Sequence, residues 1–241
     1  MNATTKRIDN RLANELRPIR IEVGVAKYAE GSALIELGNT RVLVTATVEE
    51  KIPAFLKGTG QGWVTAEYAM LPRATLQRTG REQGRGGRSQ EIQRLVGRSL
   101  RASLDLRGLG ERTVILDCDV LQADGGTRTA SISAAWVALI QSLRWIRQQG
   151  RIEGLPLLGQ VAAVSVGLVG EEVLLDLCYE EDARAQVDFN VVMTDQNRLV
   201  ELQGTGEGRT FSRAELDRMI DLAWTGLAQI FQAQKAALGL R

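Results

Sequence analysis

Asp124-Gly125-Gly126-Thr127-Arg128 lies between a β-branched, apolar stretch at residues 113–121 and a run at residues 132–140 that is apolar at helical spacing. A strand feeding a helix through two glycines makes an anion site. The glycines let the backbone bend with its amides turned outward, and the helix start adds unpaired N–H groups and a partial positive charge. Arg128 falls in the first helical turn, where a cation is unfavourable against the helix dipole unless an anion lies between them. Arg88 repeats the pattern just ahead of a second helix, which Ser89 is expected to cap with Glu91 in its first turn. Two arginines, each at the mouth of a helix, suit a tetrahedral phosphate. Taken alone, Gly-Gly-Thr reads equally well as an N-capped turn with its arginine in solvent.

A second set of groups could handle a proton or a metal. Glu171, Glu172, Asp176, Glu180, Glu181 and Asp182 follow one another without an intervening cation, and Asp188 lies in the next strand-like stretch. Period-two alternation puts Val187, Phe189, Val191 and Met193 on one face and Gln186, Asp188 and Asn190 on the other. Asp182, in the preceding turn, could meet Asp188 at the rim of the sheet, and the pair could hold Mg²⁺ or protonate a leaving oxygen. The competing readings are a turn residue beside a satisfied edge carboxylate, and a rival pair at Asp117 and Asp119. The chain has no histidine, which excludes Ser-His-Asp and Cys-His catalysis, histidine-ligated metals and paired-histidine RNA cleavage.

Residues 71–101 carry eight arginines (73, 78, 81, 85, 88, 94, 98, 101) against Glu82 and Glu91, a local charge of +6 in a chain whose net charge is +1. That concentration is a polyanion footprint, or else a solvated loop followed by a salt-bridged helix. The loop at residues 73–87 has no apolar periodicity and four glycines, so it is expected to be mobile until an anion orders it. Beyond it, Ile92, Leu95, Val96, Ser99, Leu100, Ser103 and Leu104 form the buried stripe of a helix, with Arg94, Arg98 and Arg101 on the outer side.

These groups need a framework, and 241 residues with 44% hydrophobic and 24% charged content can supply it as one α/β domain, without a linker to divide it. Strands are expected at 19–28, 31–37, 40–48, 63–71, 113–121, 161–169, 172–179, 185–193 and 198–203, with a hairpin turn at Gly38-Asn39. Ser212 and Glu215 form a capping box opening a last helix to about residue 238. The polar, basic N-terminus is not a secretory signal, and the longest apolar run is too short to cross a bilayer. Cys118 and Cys178, each in an apolar strand-like segment, suit reduced core thiols in the cytoplasm.

Longer runs go further. Ala29-Glu30-Gly31-Ser32, Phe55-Leu56-Lys57-Gly58, the run Gly62-Trp63-Val64-Thr65-Ala66-Glu67-Tyr68, and Leu71-Pro72-Arg73-Ala74-Thr75 are joined by Gly87-Arg88, Glu91-Ile92-Gln93-Arg94-Leu95, residues 117–131 and Asn190-Val191-Val192-Met193-Thr194. Together they resemble the bacterial ribonuclease PH family along almost the whole chain. The resemblance implies a βαβ-type mixed-sheet α/β sandwich, assembled as a hexamer from three dimers. It implies a phosphorolytic exoribonuclease that trims the 3′ ends of tRNA precursors with inorganic phosphate and releases nucleoside diphosphates. By motif, Arg88, Gly126, Thr127 and Arg128 would bind phosphate, Asp182 and Asp188 would be the acidic pair with Mg²⁺, and Arg73, Arg78 and Arg81 would contact tRNA. Ser89 in place of the usual Thr, Cys178 where an acid is common and a shorter basic loop depart from the family pattern. A ring subunit that binds RNA without turnover is the alternative; a small-molecule phosphotransferase would leave the arginine-rich segment unused.

Overall fold

The computed structural model describes residues 7–81 and 86–240; the stretch 82–85 of the basic loop, and with it part of the expected mobility, lies outside the described residues. Alternating β-branched sequence produces a first sheet from β1 (Ile19–Val23), β2 (Gly31–Leu37), β3 (Thr40–Glu49), β4 (Trp63–Met70) and β5 (Thr113–Gln122). Its order is β1-β2-β3-β5-β4, antiparallel except for the parallel β4–β5 pair. A parallel neighbour requires a crossover. Helix α1 (Gly87–Arg101) and the single turn α2 (Leu106–Leu109) supply it, completing a βαβ unit. A second, wholly antiparallel sheet has the order β7-β6-β8-β9, from β6 (Val161–Val169), β7 (Glu172–Leu175), β8 (Val187–Thr194) and β9 (Leu199–Thr205).

Between the sheets runs α3 (Thr127–Gln148), packed on β2 and β3 on one side and on β6 on the other. A helix covered on both sides has no polar face to spare, which explains its burial all round from Thr129 to Ile140. The one-turn helix α4 (Tyr179–Asp182) precedes β8, and α5 (Arg213–Leu238) packs on β6, β7 and β1. The Ser212–Glu215 capping box opens α5 as expected. No described helix is long and apolar enough to cross a membrane.

The backbone of α3 comes unusually near β2. A Cβ on Gly31 would lie 2.1 Å from the carbonyl oxygen of Ala138 and 2.8 Å from the amide nitrogen of Ser142. Gly31→Ala must therefore separate sheet from helix, and a loss of about 1–3 kcal/mol of unfolding free energy is expected in urea melts.

Three local expectations are corrected. Ser89 is not the cap of α1; the cap is Gly86 in extended conformation, the helix begins at Gly87, and Ser89 is buried inside the first turn. The expected first strand ends at Val23, where Gly24 takes the left-handed conformation at φ 71°. The strand expected over 172–179 stops at Leu175, because Asp176 adopts φ 53° and turns the chain out of the sheet. Cys178 is thus no strand residue but sits before α4, and both cysteines are buried and free.

Candidate active site

The helix mouths of α1 and α3 are built alike. Gly86 and Gly126 are their N-caps, neither start has a side-chain cap, and neither has an acid in the first turn. Arg88 and Arg128 are each the second helical residue. In α3 the first intrahelical bond runs from Ala130 N–H to the Gly126 carbonyl at 2.9 Å, so helical geometry leaves the preceding amides unpaired within the helix. Gly125 and Gly126 take φ 75° and 66°, a left-handed pair that side chains with a Cβ resist. The Thr127 hydroxyl shares a 2.9 Å hydrogen bond with the Tyr68 hydroxyl of β4.

The mouth of α3 and, from the first turn of α1, Arg88 line one cleft of about 530 Å³. Arg88, Gly125, Gly126, Thr127 and Arg128 line it together with Asp182, Asp188, Asn190 and Glu207. It continues into a second groove of about 510 Å³ beside β9, shared through Arg128, Asp188, Asn190 and Glu207. Residues separated by a hundred positions thus meet because α3 carries the mouth, the βαβ crossover carries Arg88, and the start of β8 carries Asp188.

Arg128 does not face solvent alone. Its Nη1 donates to Glu91 Oε1 at 3.2 Å and to Gln203 Oε1 at 3.4 Å. A carboxylate of the protein therefore already offsets part of the dipole penalty that an anion was expected to relieve. Arg88 has no ion pair among the described residues.

The acidic run divides by direction. Glu181 turns inward and accepts from Arg7 Nε and Nη2 at 2.8 and 2.6 Å; Asp176 turns inward to Arg17 at 2.7 Å. Burial pushes the Glu181 carboxyl up, but Arg7 holds it below the ordinary carboxylate value. The cations of this cluster come from the N-terminal segment, so an acid run without local cations is not an acidic surface here. Asp182 alone of the run turns to the cleft. It is exposed at the lip, yet desolvation by the cleft wall raises its pKa, against Arg128 and Arg88. Desolvation likewise raises Asp188, helped by the charges of Asp182 and Glu207. The rival pair, Asp117 and Asp119, lies on the sheet face opposite the buried Leu116, Cys118 and Val120 and does not line the cleft.

Sequence reasoning passed over Glu207, which lines both parts of the cleft. It stands in a glycine-rich connection, and only its place after β9, beside Asp188, marks it. Arg73, Arg78 and Arg81 are exposed on the loop that leaves β4, near the cleft-lining Met70 and Thr75 but not in the cleft. Two other arginines of the basic segment are engaged. Arg98 donates to both Glu201 carboxylate oxygens, at 2.9 and 2.5 Å, and Arg101 stacks 4.1 Å from the Trp63 ring while bonding the Val64 carbonyl at 2.7 Å. The count of eight overstates the free basic surface.

Two family profiles match the chain: 3′ exoribonuclease family, domain 1, over residues 15–144, and 3′ exoribonuclease family, domain 2, over residues 159–226. Among solved structures, the Archaeoglobus fulgidus exosome with RNA bound to the active site is 25% identical, covering 95% of this chain and 92% of that one, with a TM-score of 0.80. Rice (Oryza sativa) Rrp46 is 20% identical over 96% of this chain and 100% of that one, TM-score 0.79. An archaeal exosome core is 24% identical over 96% and 91%, TM-score 0.75. The mixed α/β fold of two sheets and helices is that of the ribonuclease PH family.

Proposed function

The chain belongs to the 3′ exoribonuclease family, and we propose that it is a phosphorolytic member of the ribonuclease PH type. In this reading it is a cytoplasmic enzyme that trims 3′ ends of tRNA precursors and other RNAs, releasing nucleoside diphosphates. The observation that carries the reading is the convergence of the uncapped α3 turn and of two arginines, each in the first turn of its helix, on the cleft that also holds Asp182 and Asp188.

Inorganic phosphate is an adequate nucleophile once its repulsion from the RNA phosphodiester is offset. Guanidiniums that stay charged at any working pH, with helix-start amides, do that. An oxygen of the bound phosphate attacks the last phosphodiester in line; the P–O3′ bond breaks, and the shortened RNA leaves with its 3′ oxygen. That oxygen needs a proton or a cation. Raised carboxyls at Asp182 and Asp188, both lining the cleft, suit the first.

The second is also open to these residues. Among the described residues no group of three or more acids, cysteines or histidines is arranged to hold a metal. Mg²⁺ needs no such cage, because it commonly binds one or two carboxylates and substrate phosphates. Three lining carboxylates, Asp182, Asp188 and Glu207, against two guanidiniums leave the cleft short of positive charge for a polyanion. Mg²⁺ held by Asp182 and Asp188 would supply that charge at the departing oxygen.

Arg73, Arg78 and Arg81 supply a salt-dependent, sequence-tolerant hold on the RNA backbone, and the exposed loop suits delivery of Arg78 and Arg81 to RNA on a neighbouring subunit of a homohexamer. Replacing all three by alanine is expected to weaken tRNA binding and to lower the log–log salt slope by roughly 0.7 per arginine, the value for single strands. Filter binding across a salt series reads this, and an unchanged slope would remove the loop from RNA contact. The function itself is tested by incubating a 3′-extended tRNA with and without phosphate. Shortening only with phosphate supports phosphorolysis, equal shortening without it indicates a hydrolase, and binding without shortening in either buffer indicates a ring subunit without turnover.

A further inference from the structure

Behind the anion turn lies a buried arginine that the proposed chemistry does not use. Asp176, fully buried and in the left-handed conformation, accepts from Arg17 N–H at 2.9 Å, Arg17 Nε at 2.8 Å and Arg17 Nη2 at 2.7 Å. So fixed, the guanidinium directs its remaining donors at the turn. Arg17 Nη1 donates to the Asp124 carbonyl at 2.5 Å, and Nη2 reaches the Gly125 carbonyl at 3.4 Å. On the same side, the buried Thr40 hydroxyl donates to the Gly125 carbonyl at 2.6 Å and accepts from the Asp124 N–H at 3.0 Å.

In a trans peptide the carbonyl and the following N–H point in opposite directions. Drawing the Asp124 and Gly125 carbonyls back to Arg17 and Thr40 therefore turns the Gly125 and Gly126 amides the other way. We infer that Arg17, locked by Asp176 and assisted by Thr40, is a positioning residue that holds this turn in its phosphate-receptive orientation. The inference rests on the phosphate reading above. A Gly-Gly pair left to itself can rotate its peptides at small cost, so an anion would have to order the turn as it bound. Arginine is required because only its planar fork can satisfy a carboxylate and two carbonyls at once. The clamp also joins the turn to the acid-bearing segment, since Tyr179 N–H donates to Asp124 Oδ1 at 3.3 Å and a Cβ on Gly125 would meet the Leu177 carbonyl oxygen at 2.5 Å.

Two variants test the clamp without touching a proposed catalytic or phosphate-contacting side chain. Arg17→Lys keeps a cation beside Asp176 but not the fork; Thr40→Val keeps the shape of the side chain but not the hydroxyl. Each is expected to raise the KM for inorganic phosphate by about 10-fold, with kcat at saturating phosphate and tRNA affinity within about 3-fold of wild type, and Thr40→Ser should restore the wild-type KM. Inorganic phosphate should also raise the melting temperature of wild type more than that of either variant. A folded variant with unchanged phosphate KM overturns the inference while leaving the phosphate reading intact, and if Arg17→Lys does not fold, Thr40→Val decides. Wild-type protein that shortens RNA equally without phosphate overturns the reading itself, and the clamp's purpose with it.

Discussion

Asp182→Asn is expected to lower turnover by about 10²–10⁴-fold, the usual worth of a positioned proton donor, while leaving the fold intact. The same substitution should not cost stability at a pH above the folded value of this carboxyl. Partial desolvation, its leading cause, raises the Asp182 pKa above its ordinary value of 3.8, so the folded protein binds this proton more tightly than the unfolded chain does. The stabilisation from that proton is fully present below the unfolded value and is lost as pH rises through the folded one. Above the folded value the ionised carboxyl is therefore a burden, which an amide removes. Melting curves from pH 4 upward should show Asp182→Asn falling less steeply than wild type. A variant that unfolds, or that retains turnover, would return Asp182 to a structural role.

Loss of the two cleft arginines should act on phosphate rather than on RNA. A charge-assisted hydrogen bond contributes about 1.5–3 kcal/mol, so Arg88→Ala and Arg128→Ala are each expected to raise the phosphate requirement by about 10- to 150-fold, with tRNA affinity nearly unchanged. The two are not equivalent. Arg128 leaves Glu91 behind, and that side chain is half exposed and can turn to water. Arg88 has no ion pair among the described residues to release, so its effect reads the anion site more directly. Phosphate titrations of both single variants and the double variant would separate the contributions. A change in RNA affinity alone would move the arginines out of the anion site.

The framework of the cleft was largely legible in the sequence, for a physical reason. β3 alternates, β6 is apolar but for Ser165, and residues 132–140 of α3 are apolar but for Ser133, so local pattern finds them. The glycines at 125 and 126 mark the turn, because a left-handed pair has few other solutions. What local reading could not find was settled by distant partners. Asp176 leaves the sheet for Arg17, 159 positions earlier, and Glu181 is drawn inward by Arg7, 174 positions earlier. Charge counting along the chain sees neither. It also counts Arg98 and Arg101 into the basic stretch without seeing their partners: Glu201 pairs with Arg98, as the salt-bridged alternative has it, and Trp63 stacks on Arg101. Ser89 offers a hydroxyl suited to a cap, whereas the extended Gly86 takes that position and α1 has no side-chain cap.

That last difference bears on function. A serine cap would have satisfied one of the helix-start amides from within the chain. Glycine caps supply no such group at either helix, and the ligand suited to the cleft-lining α3 mouth and two guanidiniums is an oxyanion.

The most direct test follows the phosphorus atom. Radiolabelled inorganic phosphate is supplied with a 3′-extended tRNA and Mg²⁺, and the released nucleotides are separated. If bound phosphate is the attacking group, the label appears in the β position of nucleoside diphosphates, in step with RNA shortening. Release of unlabelled nucleoside monophosphates would mean that water attacks instead, and the oxyanion cleft would have to be given another purpose.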